Sequence, residues 1–285
     1  LKSHTPLVSI IVPSISGETS ELENSIGRQD YPSYRVYIVR NVRPNGRARN
    51  EGVRGSEGEM LVFIDDDAIL AHDSVISNLV KPLVDDKTIG VAGAGRVVPP
   101  EAPWFQRRVA KEIPRIENPI ADEPLETNPP LKGRGFSEVT TTCCAMRRET
   151  FEKVGGFSER LIRGVDTEFF YRVRLLDYRF ILVPRTWVYH PAPSSLPKLL
   201  SKYFLYGVGH SQEAKVNPER EMGFNFKSGW HALGYLILRT LILIPNIFIP
   251  YSYSYRKAEI SFRPLKALAS YASALGYVWG WYKFK

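Results

Sequence analysis

The strongest constraint on this chain is the order of its apolar runs. Residues 7–12 (LVSIIV), 35–39 (RVYIV), 60–64 (MLVFI) and 89–98 read as strands, and 18–28, 47–54 and 73–83 between them have helical character. Pro13 closes the first strand, and Gly55 and Gly58 end the second helix. Strands alternating with helices predict a parallel sheet covered by helices. The third run ends unusually: MLVFIDDDAIL sets Asp65, Asp66 and Asp67 in succession at the end of a buried strand. Unpaired carboxylates are costly to bury. One reading is a solvated strand end with Asp67 as a helix cap. The other is a site for a hard cation, Mg2+ or Mn2+, at the carboxyl edge where open α/β sheets bind ligands.

Composition narrows the partners. At 285 residues, 44% hydrophobic and 24% charged, the chain is long enough for one large domain or a domain with an appendage. Lys and Arg number 38 against 30 Asp and Glu, and the net charge of +8 suits nucleic acid, anionic lipid or a phosphorylated substrate. The arginines match no nucleic-acid reader motif, so nucleic acid is not an expected partner. The two cysteines, Cys143 and Cys144, are adjacent, which disfavours a bridge and gives no zinc spacing; they read as small buried strand residues. The opening LKSHTPLVSIIVPS offers only a strand-length apolar run, so no signal peptide is expected.

The alternation breaks at 99–135, where Pro114, Pro119, Pro124, Pro129 and Pro130 crowd a charged stretch without an evident apolar period. A connection of this length predicts a functional loop or a mobile lid. Residues 137–146 (SEVTTTCCAM) resume as a strand, 148–154 and 166–176 as helices, and 180–183 and 186–190 as short strands. After Pro193 the composition shifts, dividing the chain into 1–193 and a helical region 194–285. Residues 195–212 interleave lysines, tyrosines and leucines, and Lys198, Lys202, Tyr203 and Tyr206 would suit a headgroup layer. Residues 230–251 have the length of a membrane span but contain Arg239 and Pro245. An arginine at mid-bilayer costs about 2.5–3.5 kcal/mol on insertion scales. That leaves a tilted hairpin, an in-plane helix, or a soluble helix with Trp230, Leu236, Leu243 and Phe248 as core. Membrane contact is the expectation, with Tyr251, Tyr253 and Tyr255 beside Arg256 and Lys257 at the headgroups.

Several motifs occur in an order that resembles the inverting glycosyltransferases of family 2, which have the GT-A fold. VSIIVPS followed by QDYP at 29–32 resembles the opening strand and first helix end. Ala48-Arg49-Asn50-Glu51-Gly52, then Gly58-Glu59 and VFIDDDA, resembles the approach to the DxD motif. Arg147-Arg148, Val154-Gly155-Gly156-Phe157, Gly164-Val165-Asp166-Thr167-Glu168 and Arg172 resemble the acceptor-side motif, and VYHP at 188–191 the closing histidine. The match runs from about Pro6 to Pro193.

The resemblance implies a Rossmann-like, mostly parallel sheet flanked by helices, with the C-terminal helices as a membrane-associated appendage. It implies metal-dependent, inverting transfer from a nucleotide-sugar to a lipid-linked or glycan acceptor, at the cytoplasmic face of the cell membrane. Asp65 and Asp67 become the metal-binding pair, completed by His190, and Asp166 the general base. Pro13, Asn41, Arg49, Asp65, Asp66 and Arg172 fall to the nucleotide-sugar, Asp66 being the weaker aspartate and Arg172 equally able to pair with a carboxylate. Two departures stand out. The family's Glu-Asp pair is Val165-Asp166 here, and the acidic pair after the second strand is replaced by Ile38-Val39-Arg40-Asn41-Val42-Arg43. They motivate an alternative, a catalytically silent GT-A domain that binds without transferring.

Overall fold

The computed structural model describes residues 5–132, 137–221, 223–250, 252–253 and 256–284. The expected strands form, and β1 (Val8–Ser14) is buried throughout, flanked in parallel register by β2 (Tyr34–Arg40) and β3 (Met60–Ile64). α1 (Ser20–Ile26) and α2 (Asn45–Arg54) connect them. The chain continues through β4 (Ile69–Leu70), α3 (Val75–Asp85), β5 (Ile89–Val97), α4 (Trp104–Glu112), β6 (Leu125–Glu126) and β7 (Cys143–Arg147). Then come α5 (Arg148–Val154), α6 (Val165–Leu175), β8 (Arg179–Tyr189), α7 (Leu196–Val216), α8 (Gly229–Leu241) and α9 (Pro264–Lys283).

The sheet runs β2-β1-β3-β7-β5-β8-β4, with β6 also on β8. It is mixed rather than mostly parallel: β7 lies antiparallel between β3 and β5, and β4 and β6 are antiparallel to β8. The reason is topological. β5 ends at the carboxyl edge, the segment after it runs without a crossover back through the sheet, and β7 must therefore descend. Alternate residues feed two cores. Ile10, Val12, Val62 and Ile64 meet α1 and α3, while Ile11, Leu61 and Phe63 meet α5 and α6. In the second core Phe63 and Phe157 pack edge to face at 5.1 Å. Cys143 and Cys144 are buried on β7 as expected.

Three further expectations change. Of residues 137–146, only those from Cys143 onward are strand. The two short strands near 180–190 are one, β8, with a register shift opposite Gly93 and Gly95. The proline-rich stretch holds α4, bracketed by Pro103 and Pro114, whose Gln106, Val109, Ala110 and Ile113 are buried. That spacing is helical, but its glutamine and its flanking prolines disguise it. Val109, Ala110 and Ile116 pack with Leu199 of α7 and Ala269 of α9 in a third core.

α7 and α9 pack on this third core, and α8 packs through Ala232 and Tyr235 on Phe226 and Tyr277. α7 and α9 meet backbone to backbone: a Cβ on Gly207 would lie 2.0 Å from the Ser273 carbonyl oxygen, and one on Gly276 1.9 Å from that of Phe204. The span-length stretch is broken, since α8 stops at Leu241 and a 3-10 turn follows at Pro245–Ile247. Among the described residues no helix is long and apolar enough to cross a membrane. Of the four residues that a soluble helical region would use as core, Trp230 and Phe248 are 80% and 58% exposed, and Leu236 and Leu243 are half-buried. Tyr251, Tyr255 and the Tyr253 side chain lie outside the described residues.

Gly207→Ala should push the two helices apart. Overpacking of this kind costs about 1–3 kcal/mol, so the denaturant midpoint should fall visibly. A variant that unfolds at the wild-type midpoint would contradict the close helix contact.

Candidate active site

Sheet register carries the site residues to one edge. Ile64 pairs with Cys143 at the end of β3, and the next amide, Asp65 N–H, donates to the Thr142 carbonyl at 3.1 Å. Beyond β7 and β5, Tyr189 of β8 pairs with Val97, and His190 N–H donates to the Val97 carbonyl at 2.9 Å. The three aspartates and His190 thus emerge together and line a cavity of about 350 Å3.

Each aspartate has its own compensation. Asp65 Oδ1 accepts a 2.8 Å hydrogen bond from Nη2 of Arg49, whose side chain is 5% exposed and lies 5.6 Å over the Phe157 ring. Asp66 is pushed above its ordinary value by desolvation; a hydrogen bond from Ser14 opposes this, and the charges of Asp67 and Asp65 add to it. For Asp67 desolvation also works upward, but the hydrogen bond and charge of His190, with Lys202, outweigh it and hold the carboxyl below its ordinary value. His190 Nε2 lies 3.3 Å from Asp67 Oδ1. Asp65, Asp67 and His190 each offer a ligand atom within 4.8 Å of the others, a donor set of two carboxylates and an imidazole.

Asp166 lines the same cavity from the first turn of α6. It is not the helix cap: Gly164, at φ 76°, holds that position, and Asp166 Oδ1 accepts from the Thr167 amide at 2.9 Å. Val165, where the resemblance would place Glu, is 4% exposed and belongs to the second core. Its core-side neighbours are apolar, and it also lines the cavity. A different carboxylate approaches this turn. Glu213 of α7, fully buried, accepts from Thr167 Oγ1 at 3.4 Å and pairs with the buried Arg220. Burial, opposed by Arg220, pushes the Glu213 carboxyl up to about 7.

Other expected contacts separate. Pro13, Arg49 and Asp66 line the cavity. Arg172 does not: its guanidinium grips both oxygens of Glu168 at 2.7 and 2.8 Å and donates to the Val154 and Gly156 carbonyls. It is a structural clamp, because four residues along a helix return it to the face of Glu168. Asn41, exposed and at φ 60°, is not among the lining residues, whereas Asn45 is. The cavity also contains residues that the sequence did not single out for it, chiefly Arg115, Arg163, Lys202, Tyr203, Tyr206 and His210. A signal existed, since Lys202, Tyr206 and His210 recur every four residues and share a helical face.

Residues 20–155 match the family model described as glycosyl transferase family 2. The chain is 24% identical over 228 residues to the O-antigen biosynthesis protein RfbC of Myxococcus xanthus, covering 67% of this chain but only 18% of that protein. In three dimensions it is similar to the mannosyltransferase PcManGT from Pyrobaculum calidifontis, solved in complex with GDP-Man and Mn2+. That likeness has a TM-score of 0.55 at 18% identity, covers 94% of this chain and 74% of the other, and is one of fold. Residues 20–155 therefore match a glycosyl transferase family 2 domain, carried on the α/β, Rossmann-like sheet expected of GT-A.

Proposed function

We propose that this chain transfers a sugar from a nucleotide-sugar to a hydroxyl of a lipid-linked or glycan acceptor, with inversion at the anomeric carbon. The observation that carries the reading is the convergence of Asp65, Asp67 and His190 with Asp166 in one cavity. Two carboxylates and an imidazole at such separations fit Mn2+ or Mg2+. A cation held there would offset the negative charge that develops on the leaving diphosphate. The GDP-Man and Mn2+ complex of the mannosyltransferase supports the donor and cation classes, and the O-antigen relative supports a glycan or lipid-linked acceptor.

The remaining chemistry belongs to side chains of this chain. Asp166 takes the proton of the attacking hydroxyl, and its position in the first turn of α6 fixes the carboxylate. Arg49 orients Asp65 through the 2.8 Å hydrogen bond between them. Pro13 and Asn45 supply walls for the nucleotide. The Val165 departure, which motivated a silent domain, has a packing explanation and does not weaken Asp166 as base.

The reading includes work at a membrane surface, at its cytoplasmic face, with α8 lying in the interface rather than crossing it. Trp230, Leu233, Ile237 and Leu241 of α8 are exposed, and Ile244 and Phe248 continue the apolar face. The helix's one arginine, Arg239, turns the other way, donating to the Ser270 carbonyl on α9 at 3.4 Å. An apolar outer face with its charge turned inward suits a lipid monolayer and supports a lipid-linked acceptor.

Asp166→Asn keeps the shape but removes the base, so kcat should fall by about 10²–10⁴-fold with nucleotide affinity nearly unchanged. A variant within a few-fold of wild type would move the role elsewhere. Asp67→Ala and His190→Ala should each weaken Mn2+ binding by at least about tenfold in an electron paramagnetic resonance titration. Unaltered affinity in both would dismiss the cation site. Ile237→Glu with Leu241→Glu should release the protein from anionic liposomes in a sedimentation assay. An intact chain that never co-sediments would remove the membrane element and leave the transfer reaction standing.

A further inference from the structure

Thr167 holds the carboxylate assigned as base, and each of its own polar groups is tied. Its amide donates to Asp166 Oδ1 at 2.9 Å, and among the described residues this is the one hydrogen bond that the Asp166 carboxylate accepts. Its hydroxyl shares a proton between the Gly164 carbonyl at 2.9 Å and Glu213 Oε2 at 3.4 Å. Its carbonyl accepts from Arg220 Nη1 at 3.5 Å. Asp166 therefore stands where Thr167 stands, and Thr167 is gripped by Glu213 and Arg220.

Both of those residues come from outside α6. Glu213 lies on α7, and Arg220 closes the 3-10 turn Pro218–Arg220 that follows it. They pair with each other and are 0% and 1% exposed. The Arg220 guanidinium also sits over the Tyr171 ring at 4.6 Å, one turn further along α6. The neighbouring Gln212 grips the chain that enters the turn: its Nε2 donates to the Arg160 carbonyl at 2.9 Å, and its Oε1 accepts from the Ile162 amide at 3.0 Å. A Cβ on Gly164 would lie 3.1 Å from Glu213 Oε2, so the left-handed residue is also the one that lets the carboxylate come close. Glu168, the other carboxylate of the turn, is already committed to Arg172.

A buried ion pair is a poor source of stability, because desolvating two charges offsets their attraction. It fixes geometry better, since charge-assisted hydrogen bonds are short and specific. We infer that Glu213 and Arg220 are positioning residues for the base, fixing through Thr167 where the Asp166 carboxylate stands in the cavity. Neither takes the proton. Val165 removes a carboxylate from beside Asp166 in sequence, and Glu213 brings one to the same turn from α7. This inference rests on the transfer reading above and adds to it what holds the base.

The experiment is a double-mutant cycle on the full chain, with Mn2+ and with UDP-glucose, UDP-N-acetylglucosamine and GDP-mannose as donor probes, scored by release of the nucleoside diphosphate. Glu213→Gln should lower kcat by at least about tenfold and leave nucleoside diphosphate affinity within about twofold. In an Asp166→Asn background the same substitution should cost less than about twofold, because the base that it would misplace is already gone. Equal losses in the two backgrounds overturn the inference and leave the pair a structural one. Glu213→Leu with Arg220→Met strands no buried charge, so it serves where Glu213→Gln does not fold, and the same non-additivity is expected of it. A second readout needs no turnover. In either variant the Thr167 and Glu168 amides should exchange with deuterium at least about tenfold faster, while β1 and β3 keep their protection. Unchanged exchange at those two amides overturns the inference, and so does equal acceleration throughout the chain. A base that Asp166→Asn verifies but that Glu213 does not affect overturns this inference alone. Wild-type turnover in Asp166→Asn overturns the reading beneath it, and this inference with it.

Discussion

Three adjacent carboxylates at the end of a buried strand are the constraint around which the site is arranged. Two unit charges 4 Å apart interact by about 4 kcal/mol at the effective dielectric of a protein surface, so an uncompensated run would push the end of β3 apart. The compensations come from distant parts of the chain. α2 brings Arg49 under Asp65, the end of β1 brings Ser14 to Asp66, and β8 ends where His190 reaches Asp67. Sheet register and site electrostatics are thus one problem. A slip of β8 by one residue would turn His190 to the opposite face and leave Asp67 without its partner.

The glycine contact between α7 and α9 extends the same logic. By letting the two backbones approach, Gly207 and Gly276 seat α7 along the cavity, where it delivers Lys202, Tyr203 and Tyr206. A helix whose composition suggests a headgroup layer therefore faces the chemistry, and α8 presents the exposed apolar surface. The buried Glu213–Arg220 pair ties the same helix to the turn that carries Asp166. Removing one member of such a pair strands the other's charge, which couples the order of the C-terminal helices to that of the base.

Much of this was legible in the sequence. The runs at β1, β2, β3 and β5 were readable because apolar composition and turn residues are local signals. The aspartate run announced its own site, since three carboxylates after MLVFI make no sense in a core. What was hidden depended on non-local geometry. The antiparallel direction of β7 follows from where the chain goes between 98 and 142. Arg172 could serve a phosphate or a carboxylate by sequence, and only its contacts with Glu168 and the carbonyls of Val154 and Gly156 decide between them. Val165 read as a lost carboxylate, and only its burial identifies it as core. α4 was masked by flanking prolines, although its buried positions keep helical spacing.

The central claim is that Asp166 and the Asp65, Asp67 and His190 cluster work in one cavity to invert an anomeric centre. The most direct measurement is the proton NMR spectrum of the first product, formed from an α-linked nucleotide-sugar in the presence of Mn2+. A β-linked product is the expected result, read from the coupling or carbon–proton constant at the anomeric position. An α-linked product would contradict it, because retention requires a different arrangement of nucleophile and base from the single carboxylate placed at Asp166.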